Sequence, residues 1–308
     1  MVNKFKDRLI QAGISSGARI ILPEIDDSRI LDAKRELLQM GFNIVEMDNS
    51  NKSIINLKNS ISSFKFTKNW TGEQINTFIR NPLNLGMSMV ANGSADGLVA
   101  GAITSTSDVI RSAIRMVGVK PGSKWVSSIF YMLSPNGENA FTYSDCGVIP
   151  EPTSEQLVAI AKDASEFHQL LSDETPKVAF LSFSTKGSAD HYRVKRVSDA
   201  VQIFSKKFGH IAHDGELQFD AAVDQVVASR KAPNSRLQGN ANVMIFPNLD
   251  AGNIAYKITE RLAGYSALGP LLQGLNKPVH DLSRGCSIDD IILIVAITAL
   301  QKDIYANV

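Results

Sequence analysis

The chain repeats one unit, in which a short apolar segment is followed by a polar loop and an amphipathic segment. Residues 18–22 form the first apolar segment, a helical pattern then runs to about Met40, and the next strand is expected at 43–47. The same order recurs after the apolar segments at 96–101, 177–182 and 242–246. Strands that alternate with helices are typical of parallel sheets covered by helices on both faces. The sequence therefore predicts an α/β fold of three-layer αβα architecture, arranged as two lobes.

Composition limits the classes of protein to which the chain can belong. With 308 residues, 44% of them hydrophobic, the chain can bury one large core or two ordinary ones. Its 32 basic and 31 acidic residues give a net charge of +1, so no general attraction to nucleic acid or acidic membranes is expected. Its two cysteines, Cys146 and Cys286, do not make a disulfide framework, and we expect both to be reduced thiols in a cytoplasmic protein.

Export, membrane insertion and zinc binding are not expected either. The first twenty residues contain no apolar segment, so no signal peptide is predicted. The apolar run at 291–300 has half of the roughly 20 residues needed to cross a bilayer, and we interpret it as a buried helix. The histidine pair His210 and His213 has no cysteine or third histidine nearby, so no metal site is predicted.

The stretch 281–290 concentrates polar groups between two apolar segments. Ser287, followed by two aspartates, predicts the start of a helix with a hydroxyl cap and acids in the first turn. Ser283 and Arg284 then lie in the loop before that helix, where an anion would meet a hydroxyl, a guanidinium and backbone N–H groups. The same residues also fit a simple cap and turn without any ligand.

A second hydroxyl-rich loop follows the strand at 96–101. Residues 104–108 read Thr-Ser-Thr-Ser-Asp, a cap signature at the carboxyl end of a strand, where open α/β sheets bind ligands. Ser105 and Thr106 are therefore candidate binding residues, together with Arg111 on the helix that follows. The alternative is a plain capped helix with Arg111 in solvent.

A third such loop follows the strand at 177–182 and contains Ser184 and Lys186, which we also take as candidate binding residues. The loop is not a Walker P-loop, because the lysine precedes the glycine. Residues 214–220 read as an acidic turn, and the polar residues 49–70 read as a variable surface region. A cleft between the two lobes would collect the loops at 104–111, 182–188, 214–220, 247–253 and 281–290.

Several of these loops belong to longer stretches with a family likeness. The matching stretches are 181–188, 214–222, 231–233, 241–253 and, longest, 269–287. In them the chain resembles the phosphate acetyl/butyryltransferase family, and its acetyl-transferring members most closely. The likeness covers most of the chain and is dense from about residue 97 onward. The related butyryl-transferring enzymes look less like the chain over 281–287.

The resemblance implies an isocitrate/isopropylmalate dehydrogenase-like fold, with two αβα lobes and the active site in the cleft between them. One lobe would comprise 1–122 and 270–308, and the other 123–269. The implied reaction is acetyl-CoA + phosphate = acetyl phosphate + CoA, usually in a homodimer. Coenzyme A would be a substrate, and no metal or other cofactor would be needed.

The resemblance also implies roles for individual residues. Asp290 falls on the catalytic base, and Ser283 and Arg284 fall on the hydroxyl and guanidinium beside it. Arg111 falls on a second phosphate-binding arginine, and Arg29 on the arginine after the first strand.

The chain departs from the family pattern in three places. Thr104 stands where the family often has histidine, and Ser112 stands where it has proline. The region 49–70 is shorter than usual, and Lys65 or Lys68 stands near the place of a basic residue on the CoA side. These departures concern the choice of acyl group and the affinity for CoA.

We expect direct transfer in a ternary complex, in which Asp290 takes the proton of the CoA thiol and burial strengthens it as a base. A ping-pong reaction through Cys286 is a rival mechanism, because a helix N-terminus would lower the pKa of its thiol. The sequence also leaves open a phosphate butyryltransferase or another short-chain acyltransferase, and a non-catalytic module that binds acetyl-CoA.

Overall fold

The computed structural model describes residues 2–47 and 51–302. Its helices are α1 (Val2–Ser15), α2 (Ser28–Met40), α3 (Asn51–Ser62), α4 (Gly72–Ile79), α5 (Pro82–Ala91), α6 (Thr106–Met116), α7 (Ser154–Ser172), α8 (Tyr192–Phe208), α9 (Phe219–Val223), α10 (Gln225–Lys231), α11 (Leu249–Ala263) and α12 (Ile288–Leu300). Its strands are β1 (Arg19–Ile21), β2 (Asn43–Ile44), β3 (Gly97–Ala100), β4 (Ser127–Leu133), β5 (Ala140–Ser144), β6 (Lys177–Leu181), β7 (Ala212–Leu217), β8 (Val243–Ile245), β9 (Ser266–Gln273) and β10 (Val279–Asp281). No helix in these ranges is long and apolar enough to cross a membrane.

The chain forms two compact units. The first unit consists of Asn3–Gly122 together with the chain from Leu275 onward, and the second unit contains Ser123–Gly274. Each unit is built around one sheet, and helices separate most of the strands along the chain. The α/β fold class predicted from the alternating pattern is therefore confirmed.

The first unit has a four-stranded parallel sheet in the order β10-β3-β1-β2. Helices α2 and α12 pack on each other and on this sheet, while α5 and α6 form a second packed pair that also contacts it. Residues Ile291–Ala299 of α12 are all buried, as expected for a helix that is apolar on every side. The prediction that the run at 291–300 is a buried helix is confirmed.

The second unit has a six-stranded mixed sheet in the order β7-β6-β8-β5-β4-β9. Strands β7, β6, β8 and β5 are parallel, and β4 pairs antiparallel with both β5 and β9. Helices α7 and α8 pack together against the sheet, and α11 packs against the strands β4, β5 and β9. The unit therefore combines a parallel half with an antiparallel half.

Two segments differ from the sequence-based expectations. Residues 214–217 do not form a turn but belong to β7, where the carboxylates of Asp214 and Glu216 bind the loop after β6. The region 49–70 is not merely a surface segment, because α3 buries Leu57 and Ile61 one helical turn apart. Residues 49 and 50 of that region lie outside the described residues.

Candidate active site

Three polar loops of the first unit lie side by side, because β10, β3 and β1 are parallel neighbours in one sheet. The loops are residues 22–27 after β1, 101–105 after β3 and 282–287 after β10. Each one leads into a helix, so the site lies at the carboxyl edge of the sheet, where α/β folds place ligands. The three loops are joined by side chains that the sequence analysis did not single out.

Glu24 fixes the loop after β3. Its side chain is 95% buried, and its two carboxylate oxygens accept four backbone hydrogen bonds, from residues 101, 102, 103 and 104, at 2.8–3.2 Å. Successive N–H groups that converge in this way form an anion-binding nest. Because an internal carboxylate fills the nest, any anionic ligand would have to be held by other groups of the site.

Arg29 ties all three loops together. Its Nη1 donates to the backbone oxygens of Arg284 and Cys286 at 2.8 and 2.9 Å, and its Nη2 donates to that of Ala102 at 3.2 Å. Its Nε and Nη2 also hold the carboxylate of Asp27 at 3.1 and 2.7 Å. An arginine has five N–H donors, so all five are used within the protein. Substrate contact by Arg29 stays a prediction, and it would require one of these bonds to be given up.

The loop after β10 presents Ser283 and Arg284 to solvent. Both residues are exposed, and the loop backbone is held from inside by Arg29 and by a hydrogen bond from Cys286 N to Ser283 O at 2.9 Å. A hydroxyl and a guanidinium on a fixed backbone are suited to binding an oxyanion. The structure therefore leaves both predicted residues accessible to a ligand.

Asp290 lies in the first turn of α12, which begins after the cap residue Ser287 as the sequence predicted. Its Oδ2 accepts hydrogen bonds from the backbone N and the hydroxyl of Ser287 at 2.9 and 2.8 Å. The Asp290 side chain is only partly buried, unlike the buried base expected from the sequence. The predicted base therefore has a fixed orientation and access to solvent.

The start of α6 places the other predicted residues. Ser105 caps the helix by accepting from the N–H of Asp108 at 3.2 Å, and its hydroxyl donates to Oδ2 of the same residue at 2.7 Å. Arg111 pairs with Asp108 at 2.7 Å, but 55% of its side chain stays exposed. An exposed ion pair is weak, so a phosphate can compete for this arginine. The cap predicted from the hydroxyl run is confirmed.

Asp281 was missed as a site residue. It ends β10 and is 99% buried, and its Oδ2 accepts a hydrogen bond from the hydroxyl of Thr106 at 2.5 Å. Burial raises the pKa of Asp281 to about 7; the hydrogen bond from Thr106 opposes the rise, and the charge of Glu24 adds to it. The sequence signal was a carboxylate at the end of an apolar strand, directly before the Ser-Arg-Gly loop.

Cys286 differs from the expectation based on its place near a helix N-terminus. Its side chain is 94% buried, and this burial raises the pKa of the thiol, although the nearby guanidinium of Arg29 opposes the rise. A thiol that is harder to ionise is a poorer nucleophile at neutral pH. The structure therefore argues against a ping-pong reaction through this cysteine.

Ser184 and Lys186 belong to a separate polar network in the second unit. Ser184 is fully buried and donates to Glu216 at 3.0 Å, and the Lys186 ammonium pairs with Asp214 and with the carbonyl of Gly215 at 3.1 Å. Both side chains hold the loop after β6 onto β7, so a binding role for either one stays a prediction. Lys186 also lines a cavity of about 760 Å³.

Among the described residues, no group of three or more His, Cys, Asp or Glu side chains is arranged to hold a metal ion. The polar groups of the first unit instead form an inner frame of Glu24, Arg29 and Asp281, with Ser283, Arg284 and Arg111 accessible outside it. This arrangement can hold an anion by hydrogen bonds and charge, next to a carboxylate that can accept a proton.

Comparisons with known proteins agree with this chemistry. Residues 40–299 match the family model described as Phosphate acetyl/butaryl transferase. The chain is 41% identical to the phosphate acetyltransferase of Acetivibrio thermocellus, over 96% of this chain and 98% of that protein. It is 40% identical to the phosphate acetyltransferase of Paracoccus denitrificans, again over 96% and 98%. The structure of a phosphotransacetylase from Streptococcus pyogenes superposes with a TM-score of 0.92, at 34% identity, over 98% of this chain and 99% of that one. A family model that spans most of the chain, with full-length relatives at this identity, shows that the chain belongs to the phosphate acetyl/butyryl transferase family.

Proposed function

We propose that this protein is a phosphate acetyltransferase that catalyses acetyl-CoA + phosphate = acetyl phosphate + CoA. The observation that carries the proposal is the arrangement of Ser283, Arg284 and Asp290 on one anchored loop and helix start. In a chain that belongs to this family, these are the positions at which the base and the phosphate-binding groups are expected. The full-length likeness to phosphate acetyltransferases supports the acetyl group as substrate.

The proposed reaction is a direct transfer in a ternary complex. The CoA thiol, whose pKa is close to that of a free cysteine at about 8.5, loses its proton to the carboxylate of Asp290. The thiolate forms a C–S bond to the acetyl carbon of acetyl phosphate, and the C–O bond to phosphate then breaks. The phosphate leaves with the electron pair of that bond. No oxidant, reductant or metal takes part in this balance.

Electrostatics accounts for the roles of the other residues. Ser283 donates a hydrogen bond to the oxyanion or to the departing phosphate, a contribution of up to a few kcal/mol in comparable sites. Arg284 and Arg111 neutralise the phosphate with charge-assisted hydrogen bonds, and both guanidinium groups are accessible for this purpose. Ser105 lies in the turn before Arg111 and is proposed as a further contact.

Butyryl phosphate or another short-chain acyl phosphate is the alternative substrate, since the family model covers both acyl classes. A module that binds acetyl-CoA without turnover is the second alternative. If a longer acyl phosphate is the substrate, the acyl pocket would lie near Thr104, whose N–H donates to Glu24 at 2.8 Å.

We also propose a homodimer in the cytoplasm. Three exposed apolar side chains, Ile254, Ile258 and Leu262, lie at intervals of four residues along α11 and form one stripe. A second copy of the chain would cover this stripe. The cytoplasmic location is supported by the two cysteines, which are buried thiols.

The test is turnover with purified protein, CoA and either acetyl phosphate or butyryl phosphate, followed by thioester absorbance. Rapid formation of acetyl-CoA, with slower formation of butyryl-CoA, is the expected result. A preference for butyryl phosphate would make the protein a butyryltransferase. CoA binding without turnover of either acyl phosphate would identify the protein as a binding module.

A further inference from the structure

The hydrogen bond between Thr106 and Asp281 joins two loops that carry different parts of the proposed site. Thr106 is the first residue of α6, the helix that carries Arg111, and Asp281 is the last residue of β10, directly before the loop of Ser283 and Arg284. The two residues are 175 positions apart in the chain, and their oxygens lie 2.5 Å apart. The bond therefore sets the position of one phosphate-binding arginine relative to the other.

The surroundings of Asp281 hold its carboxylate in one place. The side chain is 99% buried, and its Oδ1 has no hydrogen-bond partner within the described part of the chain. Oδ1 lies against Gly101, where a Cβ atom would come within 2.2 Å of it. The backbone of Leu282 is also fixed, since its N–H donates to Ala100 O at 2.7 Å. A carboxyl group enclosed in this way can act as an anchor for Thr106.

Other groups anchor the remaining parts of the loops. Glu24 holds the backbone of residues 101–104, and Arg29 holds the backbone of residues 284–286. Within the part of the chain that the structure describes, neither of them forms a hydrogen bond with the first turn of α6. In that turn, the tie to the loop after β10 runs through the side chain of Thr106.

We propose that Asp281 is a positioning residue, which through Thr106 holds the first turn of α6 so that Arg111 and Arg284 meet the same phosphate group. This proposal rests on the proposed function for the identity of the ligand, which is inorganic phosphate or the phosphate of acetyl phosphate. The backbone of Ser283 is held by the N–H of Cys286, and the carboxylate of Asp290 in the first turn of α12 is held by Ser287, so both residues should keep their places when the bond is lost. The tie therefore acts on phosphate binding and not on the chemical step.

If the bond affects phosphate binding and not the chemical step, its loss should raise the KM for phosphate and leave kcat unchanged. Thr106→Val removes the hydroxyl and keeps the shape, so α6 loses its tie to Asp281. The KM for phosphate and for acetyl phosphate should rise about five- to tenfold, which corresponds to the loss of one buried hydrogen bond. The KM for CoA and kcat should each stay within about twofold of the wild type. A general loss of structure would instead lower kcat and weaken the binding of the phosphate compounds and of CoA together.

The experiment combines steady-state kinetics with calorimetric titration of inorganic phosphate into the intact protein. Thr106→Ser restores the hydroxyl and should recover wild-type affinity, and Asp281→Asn should retain most of it because the amide oxygen still accepts. Asp281→Ala keeps the Thr106 hydroxyl but removes its acceptor, so it should weaken phosphate binding as Thr106→Val does. Wild-type phosphate affinity in Asp281→Ala would mean that Thr106 contacts the phosphate directly and would overturn the positioning role. Thr298→Val is the matched control, since the Thr298 hydroxyl is buried in the same unit but donates within α12, to Ile294 O at 2.6 Å. If Thr106→Val unfolds by circular dichroism, Thr106→Ala replaces it.

The outcomes separate this proposal from the proposed function. Weak phosphate binding by Thr106→Val, with recovery by Thr106→Ser, supports the positioning role even if the wild type transfers no acetyl group. Wild-type phosphate affinity in Thr106→Val, or affinity in Thr106→Ser as weak as in Thr106→Val, would overturn it. A wild-type protein that binds no phosphate at all would overturn both the positioning role and the acetyl transfer.

Discussion

The arginines of the site differ in what remains available to a ligand. Arg29 gives its five N–H donors to protein oxygens, whereas Arg284 is exposed and contributes its backbone oxygen to Arg29. Arg111 is half exposed and shares one ion pair with Asp108. Arg29 is therefore part of the inner frame, whereas Arg284 and Arg111 can turn toward a phosphate.

Arg284→Ala should therefore weaken the binding of phosphate and acetyl phosphate more than the binding of CoA. We expect the KM for both to rise on the order of tenfold or more, the range for a lost hydrogen bond to a charged group of about 1.5–3 kcal/mol. Arg284→Lys should recover part of the loss, since it keeps the charge but not the planar fork. Steady-state kinetics checks this, and unchanged Michaelis constants for both compounds in Arg284→Ala would rule out the assigned role.

Substitution of Cys286 distinguishes direct transfer from ping-pong transfer. Its thiol is buried and its pKa is raised by that burial, so we expect Cys286→Ala to retain most of the wild-type kcat. Rapid mixing of wild-type protein with radiolabelled acetyl phosphate should also leave no label on the protein. An inactive but folded Cys286→Ala variant, with acetylated wild type, would establish the ping-pong route instead.

The site depends on the strand order β10-β3-β1, which brings three loops that are distant in the chain to one edge of a sheet. The alternating pattern of the sequence predicted these strands and the polar loops after them. It could not predict which loops are neighbours, because strand order is set by packing between segments far apart in the chain. For that reason Glu24 and Asp281 were missed, since their role appears only when loops from β1, β3 and β10 meet.

Glu24→Gln tests how much the inner frame contributes to stability. The amide keeps the shape of the carboxylate, but its NH₂ group faces backbone N–H donors and its charge is lost, so two of the four bonds become unfavourable. We expect the free energy of unfolding to fall by roughly 2–3 kcal/mol, the range for buried donors left without a partner. Urea denaturation measures the change. Asp26→Asn, at an exposed position in the same loop, should stay within about 0.5 kcal/mol.

Two elements differ from the sequence-based prediction because of tertiary contacts. The carboxylates of β7 look like a turn in sequence, but Lys186, Ser184 and Gly187 provide the partners that make them tolerable in a strand. Similarly, the polar residues around Leu57 and Ile61 make the helical pattern of α3 hard to recognise in the sequence, although these two buried side chains are one turn apart. In both cases tertiary contacts outweigh the local propensity from which the elements were predicted.

The stability of the whole protein should depend on pH through Asp281. The folded state raises its pKa to about 7, while in the unfolded chain an aspartate titrates near 3.9. Between these values the folded protein holds a proton that the unfolded chain has released, so the free energy of unfolding falls as pH rises through this window. Above pH 7 the ionised carboxylate is buried beside Glu24, with Thr106 and Arg284 as its favourable neighbours.

The measurement is the difference in unfolding free energy between the wild type and Asp281→Asn at several pH values from 4 to 8. We expect the wild type to lose stability relative to the variant as pH rises, by up to a few kcal/mol in total. Taking the difference removes the contribution of His168 and His280, whose pKa values burial lowers to about 4 in both proteins. A difference that is flat from pH 4 to 8 would show that Asp281 does not titrate in this range.

Asp290 is proposed to accept the proton of CoA in this phosphate acetyltransferase. Its neighbour Asp289 supplies the matched control, since it is an exposed carboxylate in the same helical turn. Asp290→Asn keeps an oxygen that can accept from Ser287 but cannot act as a base at neutral pH. The most direct test is kcat for acetyl-CoA formation in the two variants, with their melting temperatures as a check on folding. We expect a loss of about 10²- to 10⁴-fold in Asp290→Asn and wild-type activity in Asp289→Asn. Folded Asp290→Asn protein with wild-type kcat would exclude Asp290 as the base.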